Sequence, residues 1–414
     1  MPGIKLPDVV AGEMSGRKPK HAPGNHVVTF KTDYQMNQII RQNHRRISLC
    51  LTLLLGLGLS PLLSGPALAR GKTENVILIV SDGLRWQEVF TGADPILMNK
   101  TAGGVANTNA LAQAYWRETP EARREALMPF FWNVIARQGQ LYGNQHKGSV
   151  SHVTNDKWFS YPGYNEILTG FANPEITSNA KIPNPTPTVL EWLHQKPAFK
   201  NRVAAFGAWD TIAYIINRDR CGFPVMAGWE PVPDQSPSPR MALLNDLIQD
   251  STPANDSEVF DSFLFQAAHD YLVTKRPRVL FIAFLETDHW GHARRYDLML
   301  RAAHQVDDYV RRIWETVQSS RHYRNKTTLI LSSDHGRGLG TDAWRSHNAK
   351  TEGSQNTWMA FLGPDTPALG ERTHCPAVTQ SQIAATLAAL LGEDYCQSVP
   401  QAGQPVAAAL PAPK

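Results

Sequence analysis

TTLILSSDHG, residues 327–336, sets an uncharged β-branched run directly against an aspartate and a histidine. The run TTLILS is too short for a helix, and a continuous apolar run bounded by polar residues suits a strand buried on both faces. Four more runs share that character: NVILIV (75–80), RVAAFG (202–207), RVLFIAF (278–284) and WMAFLG (358–363). Between them lie stretches with helical spacing. Thr119-Pro120 opens TPEARREALMPFFWNVIARQG, where threonine can cap, proline suits the first turn, Gly139 ends the pattern and Pro129 forces a kink or break. In YDLMLRAAHQVDDYVRRIWETVQ, Ala303, Val306, Val310, Ile313 and Val317 form one apolar stripe, and SQIAATLAALLG (381–392) reads as a further helix. Strands alternating with helices predict an α/β fold, a mainly parallel central sheet with helices on both faces. The stretch 90–200, rich in Asn, Pro and Gly, is expected to form long loops and a small loop-rich cap over the sheet's edge.

With 414 residues and 42% hydrophobic content the chain can bury a large core. Its formal charge of +4 is concentrated at the start: residues 1–69 hold 8 Lys/Arg against 3 Asp/Glu, which leaves 33 of 41 basic and 34 of 37 acidic residues beyond. The body is near neutral, so no nucleic-acid partner is expected. The segment RQNHRRISLCLTLLLGLGLSPLLSGPALA has a basic start, a short apolar stretch and a small-residue end, which reads as an export signal cut after Ala69. A start at Met36 gives that signal ordinary proportions. The expected organisation is therefore a leader over 1–69, a catalytic domain over 70–398 with its cap insertions, and a Pro/Ala-rich disordered tail over 399–414. The mature chain is expected to be periplasmic or secreted, with no transmembrane helix. Cys50 leaves with the leader, and an oxidising compartment would allow Cys375 and Cys396 to close a loop, leaving Cys221 odd.

Three of the strand candidates are followed by an acid: NVILIVSDG gives Asp82, VLFIAFLETDHWGH gives Asp288, and TTLILSSDHG gives Asp334. In open α/β sheets ligands sit outside the carboxyl ends of strands, so the three acids should converge on one rim. Asp288 and His292 are four residues apart, on one face if the turn is helical. Asp334 and His335 are adjacent, and His347 follows in a polar loop. Any one such acid is commonly a turn former, but three carboxylates with three imidazoles at strand ends suit two borderline divalent cations, Zn²⁺ with Mn²⁺ possible. His289 and His304 fit structural roles better. In KWFSYPGYNEILTG, Ser160 stands at a rigid bend before a helix, where a hydroxyl can project into a site as nucleophile or simply cap.

The order of these motifs resembles the alkaline phosphatase superfamily, nearest its nucleotide pyrophosphatase/phosphodiesterase-like and related phosphatase branch. The resemblance runs from ENVILIVSDG to QIAATLAALLG: an Asp after the first strand, a Ser in a T/S-x-P-[GN] turn, D-x-x-x-H, and DHG with a later His. It implies that Asp82, Ser160, Asp334 and His335 hold one metal ion and Asp288, His292 and His347 the other. It further implies an exported hydrolase of small phosphate esters, mono- or diesters, working through a covalent phosphoseryl intermediate on Ser160, and it carries Asn179 over as a donor to substrate.

The sequence departs from the superfamily's formylglycine sulfatases. Ser160-Tyr161-Pro162-Gly163-Tyr164 lacks the arginine of C/S-x-P-x-R, and no second acid adjoins Asp82. Three alternatives stay open: a sulfatase-like member, a phosphotransferase that passes the group to an alcohol, and a non-catalytic binding protein that keeps the metals as structural staples.

Overall fold

The structure, a computed structural model, describes residues 71–411 except Gln235. The expected leader, the start at Met36, the cleavage after Ala69 and Cys50 lie outside the described residues. No helix among those described is long and apolar enough to cross a membrane.

Among the described residues there are ten strands: β1 Asn75–Ser81, β2 Gln140–Tyr142, β3 Ser151–His152, β4 Val203–Gly207, β5 Val225–Ala227, β6 Val279–Phe284, β7 Thr327–Ser332, β8 Met359–Leu362, β9 Gly370–Glu371 and β10 Val378–Thr379. Eight form the central sheet in the order β5-β4-β6-β1-β7-β8-β2-β9, while β10 and β3 pair apart. All pairings in the central sheet are parallel except those of β8 with β7 and β2. All five strands predicted from the apolar runs are there. β2, β3, β5, β9 and β10 are two or three residues long, and such short pieces leave no periodic signal.

The absence of alternation in the long runs has its cause in the layers above and below. Ile77 and Ile79 of β1 join one core with the helices Pro120–Leu127, Asp261–Lys275 and Tyr296–Ser319, while Val76, Leu78 and Val80 join a second with Ser160–Thr169, Val189–His194 and Ile383–Leu390. Both faces of the strand are apolar because both are covered. The stripe Ala303, Val306, Val310, Ile313, Val317 is buried throughout. Each of its valines and its isoleucine contributes about 1.5–3 kcal/mol of burial.

The stretch 90–200 carries more regular structure than its composition suggests. Leu111, Tyr115, Leu127 and Phe131 belong to the first core, so its short helices are part of the covering layer. Thr119 Oγ1 accepts from Ala122 N at 3.2 Å and Pro120 takes the first turn. The helix ends at Leu127, and beyond Pro129 the chain resumes as a π-turn over Phe131–Ile135. That restart frees two N–H groups, and Asp307 on the long helix accepts both, from Phe130 N and Phe131 N at 2.8 Å each.

The tail differs from expectation. Residues 399–411 pack against the body: Ala402, Val406 and Ala409 are buried, Val406 N donates to Thr386 Oγ1 at 2.9 Å and Gly403 N to Gly170 O at 2.8 Å. Proline lowers the entropy lost on ordering such a segment, and its alanines and valine are small enough to enter the crevice beside Ile383–Leu390. The globular unit therefore extends past residue 398. Cys221, Cys375 and Cys396 are free thiols. Cys375 lies against Ser149 Oγ (3.5 Å) and Cys396 against Gly403 O (3.7 Å), so each packs against a different partner and the expected bridge is not formed.

Burial pushes the Asp307 carboxyl up to about 7, against the two N–H bonds that favour its charge. Its folded value lies above its unfolded one, so the native state binds the proton more tightly, and this group costs stability as pH rises from about 4 through about 7. Asp307→Asn removes that slope and one hydrogen bond. Urea melts should show the wild-type advantage over the variant shrinking by on the order of 2 kcal/mol between pH 5 and pH 8.

Candidate active site

Three parallel strands end level with one another. Val80 of β1 lies opposite Ala283 of β6 and Ser332 of β7, so the residues after all three emerge on one rim. Asp82 is fully buried and its N–H donates to Phe284 O at 2.9 Å. Thr287, in the turn after β6, donates through Oγ1 to Asp82 O (2.5 Å) and lies 2.9 Å from Ser81 Oγ, which ties the first strand end to the second. Gly83 N–H donates to Asp334 Oδ1 at 3.0 Å, which ties the first to the third. Gly83 has φ +58°, and a Cβ there would fall 2.5 Å from Asp288 Oδ1. Only glycine suits that turn.

All seven predicted donors meet at this rim. His335 Nε2 is 3.3 Å from Asp82 Oδ1, 3.4 Å from Asp334 Oδ2 and 3.3 Å from Ser160 Oγ. Asp288 faces His292 Nε2 (3.2 Å from Oδ2) and His347 Nε2 (3.5 Å from Oδ1), and the two imidazoles are 2.9 Å apart. The helix Glu286–His292 puts Asp288 and His292 on one face, as four-residue spacing requires. His335 Nδ1 points at Gly336 O (2.8 Å) and His347 Nδ1 at Trp158 O (3.3 Å). Carbonyls only accept, so each Nδ1 carries a proton and each Nε2 faces the rim. Asp82, Asp334 and His335 form one compact donor group, and Asp288, His335 and His347 a second, each within 4.8 Å. His335 thus lies at the junction of the two sets that the resemblance implied. His289 instead pairs with Glu258 (2.6 Å), and His304 meets Leu127 O (2.8 Å).

Ser160 is the first residue of the ten-residue helix Ser160–Thr169 and is nearly buried. Trp158, two residues earlier, has φ +57°, which costs about 1–3 kcal/mol for a bulky residue. Asn155 holds it there, its Oδ1 accepting from Trp158 N at 3.0 Å. Glu166, buried on the same helix, accepts in turn from Thr154 N, Asn155 N and Asn155 Nδ2. Asn179 Oδ1 accepts from Tyr161 N at 3.0 Å, which places it at the start of that helix beside the serine. Gly163 lets the helix approach, since a Cβ there would lie 2.2 Å from Asp334 O.

Several residues of the site carried no readable signal. Arg337, fully buried, pairs with Asp288 Oδ1. Tyr164, at the position where formylglycine sulfatases need arginine, is buried with its hydroxyl against Asp82. Asp261 accepts from Leu285 N (2.8 Å) and Glu286 N (3.1 Å), fixing the start of the helix that carries Asp288. A buried cation, phenol or carboxylate shows its role only through its partners.

The electrostatics favour a cation. Both oxygens of Asp82 and Oδ2 of Asp334 are buried without a well-formed hydrogen bond, the His335 nitrogen lying 3.3 and 3.4 Å away, a costly state for carboxylates. Burial, then the Asp288 charge, raises Asp82 above the usual carboxylate range, and burial with the Asp82 charge takes Asp334 well above it. For Asp288, burial is overcome by Arg337 and then His347, which hold it well below. Burial opposes charge on His335, but Asp334 and Asp82 outweigh it and push the ring up to about 9. Carboxylate oxygens and imidazole nitrogens in this density fit divalent ions of zinc's class.

The family model for sulfatases matches residues 74–393. The chain belongs to the sulfatase family. Its fold matches the alkaline phosphatase PafA with a TM-score of 0.52 at 10% identity, over 83% of this chain and 100% of that one. The sulfatase-family chain also resembles the phosphonate monoester hydrolase SpPMH from Silicibacter pomeroyi (TM-score 0.47, 14% identity, 83% and 78% covered). A third likeness is the lipoteichoic acid synthase LtaP from Listeria monocytogenes (0.49, 12%, 78% and 73%). No curated protein matches the sequence. The alkaline phosphatase-like fold that the motif order implied is thereby shown. Within it, these likenesses do not single out the nucleotide pyrophosphatase/phosphodiesterase branch.

Removing one of the unpartnered charges should have opposite effects with and without ions. In chelator-treated protein Asp82→Asn relieves repulsion and should melt higher than wild type, by about 1–2 kcal/mol. Added zinc should stabilise wild type by about 2.7 kcal/mol at a hundredfold excess over Kd and the variant far less, by thermal melts. Gly163→Ala, which in an ordinary helix would stabilise, should here cost about 1–3 kcal/mol in urea denaturation.

Proposed function

We propose that this chain is an exported, metal-dependent hydrolase of small phosphate esters, monoesters or diesters, that works through a phosphoseryl intermediate on Ser160. The observation that carries the reading is the position of the Ser160 hydroxyl: first residue of its helix, 3.3 Å from His335 Nε2, among three buried carboxylates. Asp82, Ser160, Asp334 and His335 would hold one divalent ion and Asp288, His292 and His347 another, zinc by donor chemistry with manganese the alternative. Such ions supply positive charge that lowers the hydroxyl's pKa and offsets charge on the phosphoryl oxygens.

The chain's own groups supply the geometry. The start of the Ser160 helix presents the positive end of its dipole to the attacking oxygen and to an anionic ester. Ser160 Oγ forms the new P–O bond as the ester's alcohol leaves opposite it. Water then cleaves that bond, its proton restoring the hydroxyl, and the product is phosphate from a monoester or a phosphate monoester from a diester. Asn179, whose Oδ1 accepts from Tyr161 N at the helix start, would donate through its amide nitrogen to a non-bridging oxygen. Trp158 and Asn155 fix the bend, so little reorganisation is left for the moment of attack.

Tyr164 favours phosphate over a formylglycine-type sulfatase. It fills the arginine's place in the motif and turns its hydroxyl to Asp82, so the partner of that chemistry is missing. A sulfate ester remains the second substrate to try.

Three substrates decide: nitrophenyl phosphate, bis-nitrophenyl phosphate and nitrophenyl sulfate, each with and without chelator, alongside elemental analysis. The expectation is turnover of a phosphate ester that is lost on metal removal and restored by zinc, with about two ions per chain. Ser160→Ala should lower kcat/KM by about 10³-fold or more while the fold and ion content stay. Undiminished activity in chelator, or calcium as the only bound ion, would refute the reading. N-terminal sequencing of exported protein should begin at Arg70.

A further inference from the structure

We propose that Arg337 is a positioning residue that locks the helix bearing Asp288 and His292 to the loop bearing His347, an inference that rests on the two-ion reading above. The guanidinium is fully buried and spends its donors in three directions: Nη1 on Asp288 Oδ1, Nε on Trp344 O at 2.8 Å, and Nη2 on Arg345 O. One planar cation therefore joins the helix to the segment that reaches His347 two residues later. A buried arginine with a single carboxylate is poor value for stability alone. Its fixed fork, which an ammonium cannot imitate, is what the three acceptors use.

Two independent features show that the surroundings are shaped for this contact. A Cβ at Gly291, inside DHWGH, would lie 2.8 Å from Arg337 Cζ, and one at Gly83 would lie 3.1 Å from its Nη1. Larger residues at either place would expel the guanidinium. The far end of the lock is itself anchored: Trp344 is fully buried and its indole N–H donates to Ala102 O at 3.2 Å. With Oδ1 of Asp288 held by Arg337, Oδ2 is left facing His292. The three donors of the second set thus take their spacing from one side chain that contacts none of Asp82, Asp334 or Ser160 among its hydrogen bonds.

The test titrates zinc by calorimetry into the chelator-treated full chain and measures hydrogen–deuterium exchange in the ion-free protein, for wild type, Arg337→Lys, Arg337→Met and His347→Ala. Expected is a tenfold or greater weakening, in both arginine variants, of the zinc equivalent that His347→Ala abolishes. The other equivalent should change less than threefold, a split that general destabilisation would not give. Exchange should rise together over residues 286–293 and 338–348. The proposal is overturned if lysine restores wild-type binding, since then a point charge suffices. It is equally overturned if methionine tightens that equivalent, because Arg337 would then compete with the ion, or if exchange in the two segments is unchanged. A wild-type chain that takes up a single zinc would sink the two-ion reading, and the exchange measurement would still decide the lock.

Discussion

The parallel register of β1 between β6 and β7 is the constraint on which the rest depends. Main-chain hydrogen bonds set Val80 level with Ala283 and Ser332, and that alone brings Asp82, Asp288 and Asp334 to one edge. A slip of one residue would turn every side chain of the strand to the opposite core. Apolar residues line both faces, so what fixes the register is shape and the ties at the strand ends, Thr287 to Asp82 O and Gly83 N to Asp334. The same bonds that close the sheet therefore space the carboxylates.

Concentrating three acids in a buried rim works against stability, and the structure offsets it unevenly. Asp288 has Arg337 within reach, whereas the carboxylate oxygens of Asp82 and Oδ2 of Asp334 have only the more distant His335 ring, at 3.3 and 3.4 Å, and for Asp82 the Tyr164 hydroxyl. The half of the rim nearest Ser160 thus sets two carboxylates against a single imidazole. Natural proteins leave carboxylates in this state where a ligand completes them. Around that half the backbone is also tied down: Glu166 gathers the loop before the serine, and Trp158 accepts a conformation that bulky residues avoid.

Much of this was legible in the residues themselves. Five long strands and the helical stripe of Ala303 to Val317 announced themselves because burial on two faces, or along one stripe, leaves a pattern. The convergence of Asp82, Asp288 and Asp334 was legible because each follows a strand closely, so topology alone could bring them together. The unread parts share a different physics. β2, β5 and β9 are too short for periodicity, and the tail's prolines suggested disorder although its small side chains fill a crevice. Arg337, Asp261 and Glu166 act through contacts with main-chain groups far along the chain, and no local spacing encodes those. The loop that an oxidising compartment would allow Cys375 and Cys396 to close rested on nearness in sequence, which does not establish nearness in space.

The sheet's connectivity bears on how the molecule is made. β1 is the earliest strand, yet both its neighbours come roughly two hundred residues or more later, β6 at Val279 and β7 at Thr327. A chain emerging from the ribosome therefore carries NVILIVS unpaired until most of the polypeptide has been synthesised. Such distant pairings are slow to find, and an apolar strand with two open edges is prone to stick to other chains meanwhile. Shielding of that segment by chaperones is thus a demand that the topology itself creates.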